Sequence, residues 1–230
     1  MNRDEVSPEK LDEIETRFVV HWNSLPRRAG VRARSDPFAD MARRYQEPER
    51  GYHVLWHPWD CIHELDMARP HLPLLDREGF LAVESSIWLH DVIYDWQAKD
   101  NERRSADYMA EAMRADGVTE SFIARVDRII MATVHRSDTP AFLDEQVMVD
   151  IDLSIFGREW IVFYGYELGI WHEYQHMDAN KFRPGRARIL QEFRDRPKLY
   201  ALPYFRERYE ERARRNLGKS IRMLTERAGT

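Results

Sequence analysis

The chain has 230 residues, with 35 basic and 40 acidic side chains for a net charge of −5, enough length for one sizeable core and no Gly/Ser-rich or Pro-rich linker to divide it, so a single domain over 1–230 is expected. Its charges are interspersed, which argues against a nucleic-acid polymer or an anionic membrane as partner, and no apolar run approaches the ~20 residues of a bilayer span. There is no N-terminal signal-peptide pattern, and the single cysteine, Cys61, has nothing to pair with, so a soluble cytoplasmic protein is expected.

In chain order, apolar residues recur at helical spacing. Leu11, Ile14, Phe18 and Trp22 come first, followed by a stretch punctuated by Pro48, Gly51, Pro58, Pro70, Pro73 and Gly79. An apolar run over 81–94 comes next and predicts a helix whose one face carries Val83, Ile87, His90, Asp91 and Tyr94. Ala106, Met109, Ala110 and Met113 predict another helix, and Phe122, Val126, Ile129 and Ile130 a further one, flanked by Asp116-Gly117 and Asp138-Thr-Pro140. Asp150-Ile-Asp152-Leu153 reads as the opening of a helix. Trp160, Tyr164, Leu168 and Trp171 mark an aromatic helix that Pro184-Gly185 is expected to end, with Ile189, Leu190 and Phe193 beyond it. Tyr209, Ala213, Leu217, Ile221 and Leu224 mark the last helix. Sustained alternation of period two is absent, so the fold class is all-α.

The chemistry concentrates at His90-Asp91. By chance a chain of this composition holds about 0.7 such pairs, so the dipeptide gains weight only from its apolar setting, where a carboxylate needs a partner and a cation is the usual one. His57 lies 33 positions earlier, and Asp150 and Asp152 lie later.

The ordered set Tyr45-Gln-Glu-Pro-Glu-Arg50-Gly-Tyr52-His53, His90-Asp91-Val-Ile-Tyr-Asp95, Asn101-Glu102-X-X-Ser105-Ala106, Asp150-X-Asp152-Leu, Glu173-Tyr174 and Gly185-Arg186 resembles an uncharacterised bacterial branch of the HD superfamily of metal-dependent phosphohydrolases. The resemblance runs from about residue 8 to 224. It implies a helical bundle of the HD type, a phosphorylated small molecule as substrate, and metal ligands His57, His90, Asp91 and Asp152. Two imidazoles with two carboxylates suit Mn²⁺, Fe²⁺, Co²⁺, Ni²⁺ or Zn²⁺ better than Mg²⁺. Of the two aspartates Asp152 is expected to face the metal, because the pair stands about 200° apart on a helix.

Further roles stay open on sequence alone. Asp95, at i+4 from Asp91, is a candidate proton-transfer group or a surface aspartate near a helix end. Arg50 either clamps a substrate phosphate or pairs with Glu47 and Glu49. His53 either meets the substrate, or a second metal, or holds its own turn, and His135 is weighed as a helix cap against an extra ligand. A di-iron oxygenase of the HD type is the alternative function, with His53 and His135 available for a second iron; a metal-holding module without turnover is a third. His172-Glu173-Tyr-Gln-His176 is a literal H-E-x-x-H, the spacing of a zinc hydrolase, but without a sheet edge for a peptide it reads better as a polar helical face.

Overall fold

The computed structural model describes residues 6–33, 37–135 and 139–226. Among them are ten α-helices and two 3-10 segments, with a single isolated bridge between Arg27 and Val118 in place of any sheet. The chain sorts into two compact units: residues 1–48 with 53–148, and residues 49–52 with 149–230. Among the described residues no helix is long and apolar enough to cross a membrane.

The first unit contains α1 (Pro8–Asn23), α2 (Phe38–Arg44), α3 (Trp56–Ala68), α4 (Arg77–Leu89), α5 (Asn101–Ala115) and α6 (Glu120–Ala132), with a 3-10 turn at Arg69–His71. Local chemistry sets several starts. Ser7 caps α1 with Pro8 in its first turn, and Asp76 caps α4 by accepting from the Gly79 amide at 2.7 Å, contacts typically worth ~1 kcal/mol each. Helix α4 is the centre, packing on α1, α3, α5 and α6. All eight residues from Ala82 to Leu89 are buried. Phe18 sets its ring edge-on to Trp88 at 5.6 Å and stacks on Trp22 at 5.8 Å.

A helix enclosed on every side has polar residues to satisfy. Glu84 takes a two-pronged contact from Arg17, at 2.8 and 3.1 Å, and Ser85 Oγ lies 2.9 Å from His21 Nε2. Burial drives the His21 pKa down to about 4; the Glu84 charge opposes this and Arg17 adds to it.

Helix α7 (Leu143–Asp152) begins in the first unit and ends in the second. The second unit continues with a 3-10 segment at Leu153–Gly157, then α8 (Trp160–Glu173), α9 (Ala179–Arg194) and α10 (Pro203–Glu226). Helix α10 packs on α8, α9 and the 3-10 segment. Gly157 lies so close to Tyr209 that an added Cβ would stand 2.4 Å from that residue's Cβ. Asn216 Nδ2 donates to the Phe156 and Arg158 carbonyls at 2.8 and 2.9 Å, closing the 3-10 segment onto α10.

Three expectations need correction here. Asp150 and Asp152 end a helix instead of opening one. The aromatic helix stops at Glu173, and Pro184-Gly185 falls inside α9, where burial of Phe182, Ala187 and Leu190 outweighs the one backbone donor that proline lacks. In α8 the buried face is Phe163, Tyr166, Ile170 and Glu173, whereas Leu168 and Trp171 are exposed. That helix is apolar nearly all round, so spacing alone does not choose its inner face.

Candidate metal centre

Within the first unit, three imidazoles gather on one carboxylate. His57 stands in the first turn of α3, and His90 caps the C-terminus of α4, its amide still donating to the Ser86 carbonyl at 2.9 Å. The helix ends there. Asp91 therefore lies just past the helix, not on its face as its spacing predicts, and its Oδ2 is 3.0 Å from His90 Nε2, 3.4 Å from His57 Nε2 and 3.9 Å from His53 Nε2. The two ligand-type nitrogens, His57 Nε2 and His90 Nε2, are 3.0 Å apart, and both residues are buried.

The tautomer of His90 follows from its neighbours. A carbonyl oxygen only accepts, so the 3.0 Å contact with the Ile87 carbonyl makes Nδ1 the donor. In the neutral ring, Nε2 then presents its lone pair toward His57 and Asp91. Cys61 Sγ lies 3.8 Å from His57 Nδ1 on the far side of that ring. Burial by itself would raise the Asp91 pKa, but with the rings protonated the charges of His90 and His53 and hydrogen bonds from His57 and His90 outweigh it and hold the carboxyl well below its usual range.

These residues fit a transition-metal ion. Two buried imidazole nitrogens and a carboxylate oxygen in mutual contact need a shared proton or a cation among them. Their spacing of about 3 Å is that of neighbouring ligands each about 2.1 Å from one ion. The donor set is the mixed nitrogen and oxygen kind that such ions prefer.

The segment after Asp91 has no regular structure, yet it is fastened at both ends of its backbone polarity. Ser105 Oγ accepts from the Ile93 amide at 3.1 Å and lies 3.2 Å from its carbonyl, while Asn101 takes the Asp95 amide at 3.1 Å and donates to its carbonyl at 2.9 Å. Asn101 and Ser105 stand four apart on α5, one turn and the same side. Asp95 itself is exposed, and its Oδ1 accepts from the Gln97 amide at 2.9 Å. Because α4 has already ended, the helical register that linked Asp95 to Asp91 does not exist.

A different carboxyl feels the charges of the cluster. Glu102, in the first turn of α5, is half-buried, and burial raises its pKa, as does the Asp91 charge, against the attraction of His135 and His90. The sequence offered the Asn-Glu-X-X-Ser pattern but nothing to say that its outer members tie down a loop while the glutamate between them is half-buried. His135 follows α6 with a φ of 55°, an uncommon left-handed conformation for a side chain of this size. His53 stacks on Tyr94 at 4.3 Å.

In the second unit, Asp150 is fully buried and accepts from the Ala201 and Leu202 amides at 2.8 and 2.7 Å, ahead of α10. Burial lifts its pKa to about 7 although those bonds pull the other way. Its carboxyl is thus committed inside that unit, while Asp152, the last residue of α7, is half-buried. Arg50 is buried, only 5% exposed, so it is not the surface residue that its acidic sequence neighbours suggest. His172 and His176 are exposed, and His176 lies beyond the end of α8. Glu173 is buried at 1% exposure, and its Oε1 accepts the Gly51 and Tyr52 amides at 3.0 and 2.8 Å. The H-E-x-x-H therefore presents neither two histidines one helical turn apart nor a glutamate available as a base.

No family model, curated protein or solved structure matches the chain.

Proposed function

We propose that this chain is an HD-type metal-dependent hydrolase that cleaves the phosphate ester of a small molecule such as a nucleotide. The ion would be held by His57, His90 and Asp91, with Asp152 as the fourth ligand that the sequence resemblance implies. The observation that carries the reading is the meeting of two buried Nε2 atoms with Asp91 Oδ2 at 3.0 to 3.4 Å. A divalent transition-metal ion supplies Lewis acidity, drawing charge from phosphoryl oxygens and making water acidic enough to serve as a nucleophile near neutral pH.

The chain's own residues divide the remaining work. Asp91 and the two imidazoles bind, and the Ile87 carbonyl orients His90 for that task. For the substrate phosphate the sequence reading offers Arg50 and His53, the guanidinium fork being suited to two phosphate oxygens. Glu102, whose raised pKa keeps a proton on its carboxyl closer to neutral pH, delivers that proton to the leaving oxygen.

The test is phosphate release from a panel of phosphomonoesters and nucleotides by protein loaded with Mn²⁺, Co²⁺, Ni²⁺ or Zn²⁺. Metal-dependent release that EDTA stops is the expected result. No release from any member, together with two irons per chain and substrate-dependent oxygen uptake, would replace this reading with the di-iron oxygenase, for which His53 and His135 are the further donors.

A further inference from the structure

The two buried imidazoles of the first unit are held from behind in different ways. His90 Nδ1 donates to the Ile87 carbonyl at 3.0 Å, a partner that only accepts and so fixes one tautomer. His57 Nδ1 instead lies 3.8 Å from Cys61 Sγ, one turn further along α3 in a residue only 4% exposed. Four residues apart on one helix, the two side chains share a face, so α3 itself sets their separation. The usual partner behind a metal-binding imidazole is a carboxylate, a backbone carbonyl or a water. A thiol differs from a carbonyl in that it both donates and accepts, weakly in each sense.

We infer that Cys61 is a positioning residue for His57: its thiol holds the ring through Nδ1 so that Nε2 meets His90 and Asp91 whichever nitrogen carries the proton. This role rests on the reading of His57, His90 and Asp91 as metal ligands and deepens it, and all four residues belong to the first unit. His90 Nε2 presents a lone pair 3.0 Å from His57 Nε2. With no ion between them, the neutral His57 ring satisfies that lone pair by keeping its proton on Nε2, and Nδ1 accepts from the Cys61 S–H. When Nε2 gives its own lone pair to an ion, the ring proton sits on Nδ1 and donates to Sγ. The ring is neutral in both forms, and the thiol keeps its proton and only turns about its Cβ–Sγ bond. A carbonyl behind His57 would favour the second form alone, and a methyl neither.

The experiment compares Cys61→Val, Cys61→Ser and His57→Ala in the full chain. Co²⁺ affinity is measured by chelator competition, the cobalt spectrum by absorption, and stability without metal by denaturant unfolding. Long-range proton–nitrogen NMR locates the His57 ring proton in wild-type protein with and without Zn²⁺. His57→Ala should lose the ion. Cys61→Val fills the space with an apolar group and should weaken Co²⁺ binding about ten- to a hundredfold, the range for loss of such a partner, while its denaturant midpoint stays near wild type. Cys61→Ser should recover most of that affinity, since a hydroxyl also donates and accepts, although burying it lowers the midpoint. A role in packing alone predicts valine above serine in both measurements. The ring proton should stand on Nε2 without Zn²⁺ and on Nδ1 with it. Cys61→Ala replaces the valine variant should that one not fold.

Wild-type Co²⁺ affinity in Cys61→Val, serine no better than valine, or a ring proton on the same nitrogen with and without Zn²⁺ would overturn the inference and leave the metal reading in place. An intense thiolate-to-cobalt absorption would overturn it too, by making Cys61 itself a ligand. Stoichiometric metal retained by His57→Ala, or none bound by the wild type, would instead sink the metal reading, and this inference with it.

Discussion

The C-terminal ends of α4 and α8 carry the same chemical letters and build different things. At the first, His90 is 1% exposed, its Nδ1 is fixed by the Ile87 carbonyl, and its Nε2 meets His57 and Asp91. At the second, His172 and His176 are exposed while the acid between them is buried and bonded to two amides. The difference lies in what surrounds each end. Helix α4 is enclosed by four other helices, so its terminal histidine is oriented by packing and by a carbonyl. Helix α8 stops at Glu173, and its last histidine falls in a turn. A pair of histidines makes a metal site when burial fixes both the rotamer and the tautomer; spacing alone provides neither.

The sharpest way to break that contrast is to remove one member at each end. His90→Ala or Asp91→Ala should abolish stoichiometric metal binding, whereas His172→Ala should leave it intact, as read by elemental analysis of protein purified without added metal. Metal lost with His172→Ala and kept with Asp91→Ala would reverse the comparison.

The next effect separates two carboxyls near the α4 end. Glu102→Gln should slow turnover by ~10²–10⁴-fold with the metal retained, the range for a positioned proton donor. Asp95→Asn, exposed and bonded to its own turn, should change it by no more than about threefold. Steady-state kinetics with equal metal loading decide between them, and the opposite ranking would restore Asp95 to the chemistry.

Much of the helical order was legible because most segments are amphipathic: Ile14, Phe18 and Trp22 in α1, and Phe122, Val126, Ile129 and Ile130 in α6, are all buried as their spacing predicts. Helix α8 was not, since apolar residues on all sides leave no preferred face. Of the candidate site, the residues His57, His90 and Asp91 that the structure brings together, and the different settings of Asp150 and Asp152, were readable from residue identity and angular offset. The anchoring of the segment after Asp91 was not, because Asn101 and Ser105 bond to backbone six and twelve residues away, contacts with no periodic signature. Arg50's burial was hidden for a related reason, as neighbouring acids in sequence invite the reading of a surface residue.

Two smaller effects sharpen the contrast between buried groups that are matched and those that are exposed. The His21 pKa is depressed by burial, so the folded state binds fewer protons than the unfolded state between about pH 4 and 6.5. Its contribution is fully present above the unfolded value and is lost as pH falls toward about 4, by at most about 3 kcal/mol. Denaturant unfolding at pH 7 and pH 5 should show that loss, and His21→Asn should flatten it; a profile identical in both proteins would contradict the assignment. Asp150→Asn should cost about 1–3 kcal/mol, since one of its two amide donors would then face an NH₂ group. Metal content should survive that change and fall in Asp152→Asn; the reverse would make Asp150 the ligand.

The fastening of the segment after Asp91 has a consequence for affinity. A flexible arm would have to lose conformational freedom each time the site filled, and that ordering cost would weaken every ligand it helped to hold. Here Asn101 and Ser105 meet the backbone needs of Ile93 and Asp95 through bonds formed with the fold itself. The entropy of the arm is surrendered once, during folding, and Asp91 arrives already preorganised.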